Sequence, residues 1–352
     1  MKQAVTTNQV TYQTARRGGG KPTKVALIGA GTVGEEVVRL LRNKPEFELV
    51  GVLVRDAARE RAFTGWQELV TTNEDVLAGV DVLVEVAGGT GNAADLSLRH
   101  LAAGKQLVTA NKAALAERWA EYLPHAEEGR VHFEAAVMAG TPAVGVLAGA
   151  LRGSAPVSLH AVLNGTCNVI LAMMDEGSSF VAALAEAQRL GFAEADPTLD
   201  VGGFDAAHKL TVLGRLAFDP ALTWEAVRGA TRGISDLTEQ ALAAQAQRGR
   251  RVRLIGSIVA NSGRWEAQIR PVSLPVGHPL LTTGGTNALL FTGDPVGTVY
   301  VRGAGAGGGS TASGVLADML TAAAGNSGPR PLASAAPVPL TASEASDGVE
   351  EL

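Results

Sequence analysis

The sequence predicts a doubly wound α/β domain followed by an α+β domain, on three observations. From Lys24 onward short β-branched runs alternate with amphipathic helical patterns, and the first of these runs feeds a glycine fingerprint. Beyond about Gly140 the alternation gives way to longer helices and strand pairs. At 352 residues the chain exceeds a single domain of roughly 100–200 residues, so two domains are the natural expectation.

The strands of the first domain are KVALI (24–28), ELVGVLV (48–54), DVLVEV (81–86), QLVTA (106–110) and VHFEAAV (131–137). Helical patterns at 33–43, 92–103 and 112–122 separate them. Near-continuous apolar strands suit a parallel sheet covered by helices on both faces, a Rossmann-type arrangement. In the second half helices are expected at 143–152, 168–175, 180–190, 205–218 and 236–248. The runs SLHAVL, RVRLIGSIVA, RWEAQIRPVSL, ALLFT and TVYVR supply a mostly antiparallel sheet. A glycine-rich loop then leads into a Ser/Thr-capped helix that could pack back onto the first domain. The expected boundaries are a flexible lead-in over 1–22 and a dinucleotide-binding domain over 23–139, completed by 303–325. A substrate and dimerisation domain follows over 140–302, and a Pro/Ala/Ser-rich disordered tail over 326–352.

Composition narrows the function. A net charge of −5 gives no global electrostatic footprint for nucleic acid, so a small-molecule partner is expected. The longest stretch free of Asp, Glu, Lys, Arg and His, 135–151, has about seventeen mostly small residues, short of the ~20 strongly apolar ones that span a bilayer. No secretory apolar run opens the chain, and a single cysteine, Cys167, excludes an internal disulfide framework. These features fit a reducing cytosol.

The run KVALIGAGTVGEEVVRLLRN places Gly29, Gly31 and Gly34 between an apolar strand and an amphipathic helix. Gly29 would permit the tight turn, Gly31 the approach of a pyrophosphate, and Gly34 the contact of helix with strand. A dinucleotide cofactor follows. The second strand ends in Arg55 where NAD enzymes carry an acid on the ribose. Arginine suits the 2′-phosphate of NADP, while the neighbouring Asp56 keeps NAD open.

Residues 191–209, GFAEADPTLDVGGFDAAHK, pack four carboxylates and a lysine into nineteen positions. Asp205 and Lys209 lie four apart and share one face of a helix, which by spacing alone is an ordinary solvated ion pair. His208 points elsewhere around the helix and reads as a packing residue. Cys167 lies at the start of a helical pattern, where a thiol could be activated, but it is expected not to be catalytic, and a serine in its place to preserve most activity.

Six motifs in order resemble the homoserine dehydrogenase family, in a short form without a C-terminal regulatory domain. They are GAGTVG at 29–34, TANKAALA at 109–116, FEAAVMAGTP at 133–142, LNGTCN at 163–168, the 191–210 segment and GAGAGGGSTAS at 303–313. The resemblance covers about residues 24–325. It implies reversible NAD(P)-dependent oxidation of L-homoserine to L-aspartate 4-semialdehyde, on the way to threonine, methionine and isoleucine. It also implies a homodimer and weak inhibition by threonine. By the resemblance Lys209 is the acid/base residue, Lys112 faces the same substrate oxygen, and Gly191, Glu194 and Asp205 bind substrate. Thr32, Val33, Gly88, Lys112 and Gly307 join Gly29, Gly31, Gly34 and Arg55 at the cofactor. A Na+ or K+ ion is implied at Glu134, Val137, Ala139 and Thr141, where oxygen ligands suit a hard cation. Two neighbouring ammonium groups are expected to depress at least one lysine pKa. Gly202, where relatives carry a polar side chain, is expected to loosen the loop before the catalytic helix. A dinucleotide sensor without catalysis is the alternative of another class.

Overall fold

The computed structural model describes residues 21–332 and 350–351; the lead-in before residue 21 and most of the tail expected over 326–352 lie outside them. The first domain runs β1 (Thr23–Ile28), α1 (Thr32–Leu41), β2 (Phe47–Leu53), α2 (Trp66–Leu69), β3 (Val70–Thr71), β4 (Val82–Glu85) and α3 (Asn92–Ala102). It continues through β5 (Gln106–Thr109), α4 (Lys112–Glu117), α5 (Trp119–Glu127) and β6 (Val131–His132). All six strands are parallel, in the order β3-β2-β1-β4-β5-β6. Crossing from β1 to β4 opens a crevice at the carboxyl ends of the strands, where such sheets bind ligands.

The second domain runs β7 (Ala155–Val162), α6 (Gly165–Asp175), α7 (Phe180–Arg189), α8 (Thr198–Val201), α9 (Phe204–Ala217), α10 (Trp224–Gly229) and α11 (Glu239–Gln247). After these come β8 (Arg250–Asn261), β9 (Arg264–Pro275), β10 (Thr286–Asp294) and β11 (Gly297–Ala304). Its sheet is antiparallel, ordered β11-β10-β7-β8-β9-β12, where β12 is Glu350–Glu351 against β9. The chain then returns to the first domain. Helix α12 (Gly308–Ala323) buries Ala312, Val315 and Met319 in one core with Val25, Val37 and Val84.

Four expectations change. The strand expected over 131–137 stops at His132, because Glu134–Ala136 forms a 3-10 turn. There the Glu134 amide donates to Asp318 Oδ2 on α12 at 2.8 Å, so the backbone leaves the sheet. The helix expected over 112–122 breaks into α4 and α5 at Arg118, whose guanidinium donates to Thr90 O at 2.9 Å and Asp95 Oδ1 at 2.6 Å. Helix α12 has Gly307 at its N-cap without a side-chain cap; Thr311 lies inside and bonds back to Gly307 O. Residues 326–332, assigned to a loose tail, are held: Gly328 N donates to Gly129 O at 2.8 Å and Leu332 N to Leu216 O at 3.0 Å.

Helix α9 joins the halves. Every residue from Ala206 to Ala217 is buried, so the helix has lost its solvent face between α4 on one side and β8 and β9 on the other. Polar side chains fasten α9 to α4. His208 Nε2 meets Glu117 Oε1 at 2.9 Å, and its ring stacks on Trp224. The buried Arg215 guanidinium donates to the last carbonyls of α4, Leu115 O and Ala116 O, at 2.8 and 2.7 Å. Burial lowers the Arg215 pKa to about 10, which leaves a cation at neutral pH to meet the negative end of the α4 dipole.

Candidate active site

A cavity of about 570 Å³ lies between the domains, walled by Lys112, Asn164, Asp200, Asp205 and Lys209 on its polar side. Lys209 is in the second turn of α9, and Lys112 is the first residue of α4. Asp205 bridges them: Oδ2 meets Lys209 Nζ at 2.8 Å and Oδ1 meets Lys112 Nζ at 3.2 Å. The ion pair within 191–209 is therefore buried, not solvated, with side chains 10% and 16% exposed. Lys209 Nζ also donates to Leu163 O at 2.7 Å. Two of its three ammonium hydrogens are spoken for, and one remains for a ligand.

The electrostatics differ from expectation. Burial by itself would raise the Asp205 pKa, but the two ammonium groups hold it well below the carboxylate range. In return the attraction of Asp205, set against burial, raises the Lys112 pKa. Mutual repulsion of the lysines does not depress Lys112, because the carboxylate sits between them.

Asn164 completes the cluster by donating to Asp205 Oδ2 at 2.8 Å and Asp200 Oδ1 at 2.7 Å. Its own oxygen caps α6 at Cys167 N, 2.8 Å. Burial raises the Asp200 pKa. Gly191, in the left-handed region at φ +79°, lines the cavity with Phe192. Glu194 does not join them. It is exposed outside the cavity wall, and only its backbone carbonyl is bonded, to Gln188. The loop turns outward before Glu194, and Asp200 returns to the cavity beside Asp205. Asn164 and Thr166 line the cavity without having been singled out in the sequence, where LNGTCN marked both positions without separating ligand from cap; Asp200, an acid the sequence left open between site and turn, lines it too. Asp196 accepts from Thr198 N and Oγ1, so it is a turn residue.

Two local readings are settled by packing. A side chain at Gly202 would bring Cβ to 2.7 Å from Thr198 O and 3.0 Å from the Phe204 ring, so this glycine permits close packing before α9. Cys167 is fully buried, faces Asp200 O at 3.1 Å, and burial pushes its thiol pKa up. That is the reverse of an activated nucleophile.

A second cavity, about 660 Å³, runs over the glycine fingerprint and is rimmed by Arg55, Asp56 and Arg59. At Gly29 (φ +104°) a Cβ would stand 2.9 Å from Ala87 N; at Gly34 it would stand 2.2 Å from Gly29 O. Nothing lies within 4 Å at Gly31. No side chain caps α1 there, so the amides at Thr32 and Val33 are left for an anion. The residues fit a dinucleotide. Val33, Gly88 and Gly307 line the first cavity, while Val86, Ala87 and Gly88 wall both. Asp56 Oδ1 is engaged by Ala58 N and Arg59 N at 2.9 and 3.3 Å. Arg55 and Arg59 are exposed, and neither guanidinium has an ion pair among the described residues.

At the hinge, Glu134 spends its carboxylate on Val144 N and Gly145 N at 3.0 and 2.6 Å, and burial raises its pKa. Met138 and Ala139 both adopt left-handed backbone, at φ +58° and +55°. Val137 and Ala139 are buried, yet neither carbonyl accepts a hydrogen bond from the described residues. Thr141 Oγ1 donates to Ala304 O at 3.1 Å. Carbonyls that bond no described residue fit a cation held by oxygen, and each Glu134 oxygen, already accepting one amide, keeps a further lone pair.

A dinucleotide cleft that opens into a buried lysine–carboxylate cluster defines a nicotinamide-dependent oxidoreductase of two domains. Two family models match the chain, homoserine dehydrogenase over residues 142–320 and the homoserine dehydrogenase NAD-binding domain over 29–136. The chain belongs to the homoserine dehydrogenase family. It is 38% identical over 330 residues to homoserine dehydrogenase of Corynebacterium glutamicum, covering 87% of this chain and 73% of that one. The crystal structure of a homoserine dehydrogenase from Thiobacillus denitrificans superposes with a TM-score of 0.78 at 36% identity, over 86% of this chain and 73% of that one. A hyperthermophilic archaeal homoserine dehydrogenase in complex with NADPH superposes with a TM-score of 0.71 at 27% identity, over 88% and 100% of the two chains. Among the described residues no helix is long and apolar enough to cross a membrane.

Proposed function

We propose that this protein interconverts L-homoserine and L-aspartate 4-semialdehyde with NADP, Lys209 handling the proton and Lys112 holding the substrate oxygen. The observation that carries the reading is Asp205, which joins one lysine from each domain beside the cofactor cleft. Bound NADPH supplies the hydride. In reduction of the semialdehyde the remaining N–H of Lys209 donates to the carbonyl oxygen as negative charge develops there, and the Lys112 ammonium stabilises that charge. Asp205 keeps both ammonium groups aimed and charged. We assign the substrate's α-ammonium to Asp200, inside the cavity, in place of Glu194. Its α-carboxylate falls to the free amides opening α6 at Gly165 and Thr166.

The test is absorbance at the nicotinamide band with homoserine and NADP+, and with the semialdehyde and NADPH. Cofactor binding without turnover in either direction would favour the sensor alternative and sink this reading. For cofactor choice, replacing Arg55 and Arg59 by alanine is expected to lower the NADPH to NADH ratio of kcat/KM by about 10- to 100-fold, the worth of a charge-assisted contact. An unchanged ratio removes the 2′-phosphate assignment.

The same reading includes a monovalent cation on the Val137 and Ala139 carbonyls, with Glu134 and Thr141 shaping the loop. Exchanging Na+ and K+ for a bulky organic cation is expected to lower both Tm and kcat, whereas identical melting curves in all salts would exclude the ion. It further includes a cytoplasmic location, supported by one free, buried thiol. A homodimer through the second sheet is supported by β11, an edge strand whose outer side no described strand pairs.

A further inference from the structure

The carboxylate of Glu85 takes no part in the chemistry above, although it lies directly beneath it. It ends β4 with no exposed surface. Oε1 accepts the amides of Ala87 and Gly88 at 2.9 and 2.8 Å, and Oε2 accepts the Thr109 hydroxyl at 2.9 Å. Ala87 and Gly88 wall both cavities, so a dinucleotide reaching from one to the other passes over the turn they form. Gly88 and Gly89 are consecutively left-handed, at φ +74° and +82°, and a Cβ on either would meet nothing within 4 Å. At these two glycines no packing fills the space and hydrogen bonds hold the backbone, while Val86 at the start of the turn packs onto the core of the sheet.

The same bonds lead to the substrate side. Thr109 Oγ1 donates to Glu85 and accepts Asn111 N at 3.0 Å. Asn111 Nδ2 returns to the turn at Gly89 O, 2.7 Å, and its oxygen caps α4 at Ala114 N, 3.1 Å. The residue between Asn111 and the body of that helix is Lys112. One continuous network thus ties the floor of the cofactor cleft to the helix turn that presents a lysine to Asp205.

We propose that Glu85 is a positioning residue that, through Thr109 and Asn111, locks the cofactor turn at 86–89 to Lys112. The coupling to turnover rests on the reading of Lys112 given above; the effect on cofactor affinity does not. A carboxylate suits the position because it accepts from three donors at once, two on one oxygen. Glutamine can still take both amides on one oxygen, but it turns a donor toward Thr109 and breaks the polarity of the link.

The test uses the full chain and three readouts: NADPH affinity by fluorescence, kcat, and thermal unfolding. E85A is expected to weaken NADPH binding and to lower kcat, each by about tenfold, within the range that a misplaced site can cost. T109V is expected to bind NADPH as wild type does yet lose part of kcat, because the turn is kept and one of its two ties to α4 is cut while Asn111 Nδ2 still reaches Gly89 O. E85Q, whose amide can still donate to Thr109 Oγ1, is expected to fall between T109V and wild type. K112A combined with T109V should be no slower than K112A. If E85A lowers Tm while affinity and kcat stay at wild-type values, Glu85 is merely structural and the proposal is overturned. Multiplying effects of T109V and K112A on kcat also overturn it. Should E85A fail to fold, T109V decides: an unchanged kcat overturns the coupling. If K112A is itself silent, the Lys112 reading has failed, and NADPH affinity in E85A alone judges the role of Glu85 in the turn.

Discussion

Lys209→Ala is expected to lower kcat by about 10²–10⁴-fold in both directions, the usual contribution of a positioned proton donor. NADPH affinity should hold, because Lys209 is absent from the wall of the fingerprint cavity. The geometry leaves no substitute: Lys112 is bound to the other oxygen of Asp205, and His208 is engaged by Glu117 and stacked on Trp224. Arginine at this position keeps the charge but does not release a proton at any working pH, so Lys209→Arg should behave like Lys209→Ala. Single-turnover absorbance separates the chemical step from release. A kcat within a few-fold of wild type in Lys209→Ala would remove the lysine from the proton path.

Asp205→Asn is expected to have the second largest effect, on activity and stability together. It breaks a buried pair and leaves the Lys209 ammonium against neutral partners, at a cost of about 3–5 kcal/mol for such a break. The pH dependence has a definite sign. The Asp205 pKa is depressed in the folded protein, so its stabilisation is present above the unfolded value of about 3.9 and is lost as pH falls through the folded value. The Lys112 pKa is raised in the folded protein, so its contribution holds below about 10.4 and is lost as pH rises through the folded value. In Asp205→Asn both gains vanish. If semialdehyde reduction draws on the Lys112 ammonium as proposed, it should then decline at lower pH than in wild type. Denaturant titrations from pH 3 to 11, paired with rate profiles, check both limbs. A variant with wild-type stability and an unmoved alkaline limb would refute the bridging role of Asp205.

Much of this was legible along the chain. The glycine run, the alternating elements and the change of pattern near residue 140 carried the two-domain fold, because local periodicity reports which face of an element meets a core. The strands of the second sheet were read within a few residues for the same reason. Boundaries failed where a distant polar group intervened: Asp318 diverted the strand after His132, and the contacts of Arg118 split one helix into two. Neither partner is near in sequence, so no local pattern announces them.

At the site, residue types were read and roles were not. Glu194 and Asp200 are equally acidic in a linear sequence, and only the outward turn after Gly191 leaves one exposed and puts the other in the cavity. Asp205 and Lys209 spaced by four define a helical pair anywhere, exposed or buried. By itself the sequence determined the family, the cofactor fold and the short set of charged residues from which a site could be built. The tertiary structure decided which of them meet. Packing α9 between two domains brought Lys112 to Asp205 across 93 positions of sequence and left the carboxylate largely buried. Electrostatic strength depends on that burial and proximity, and neither is a property of the residues in line.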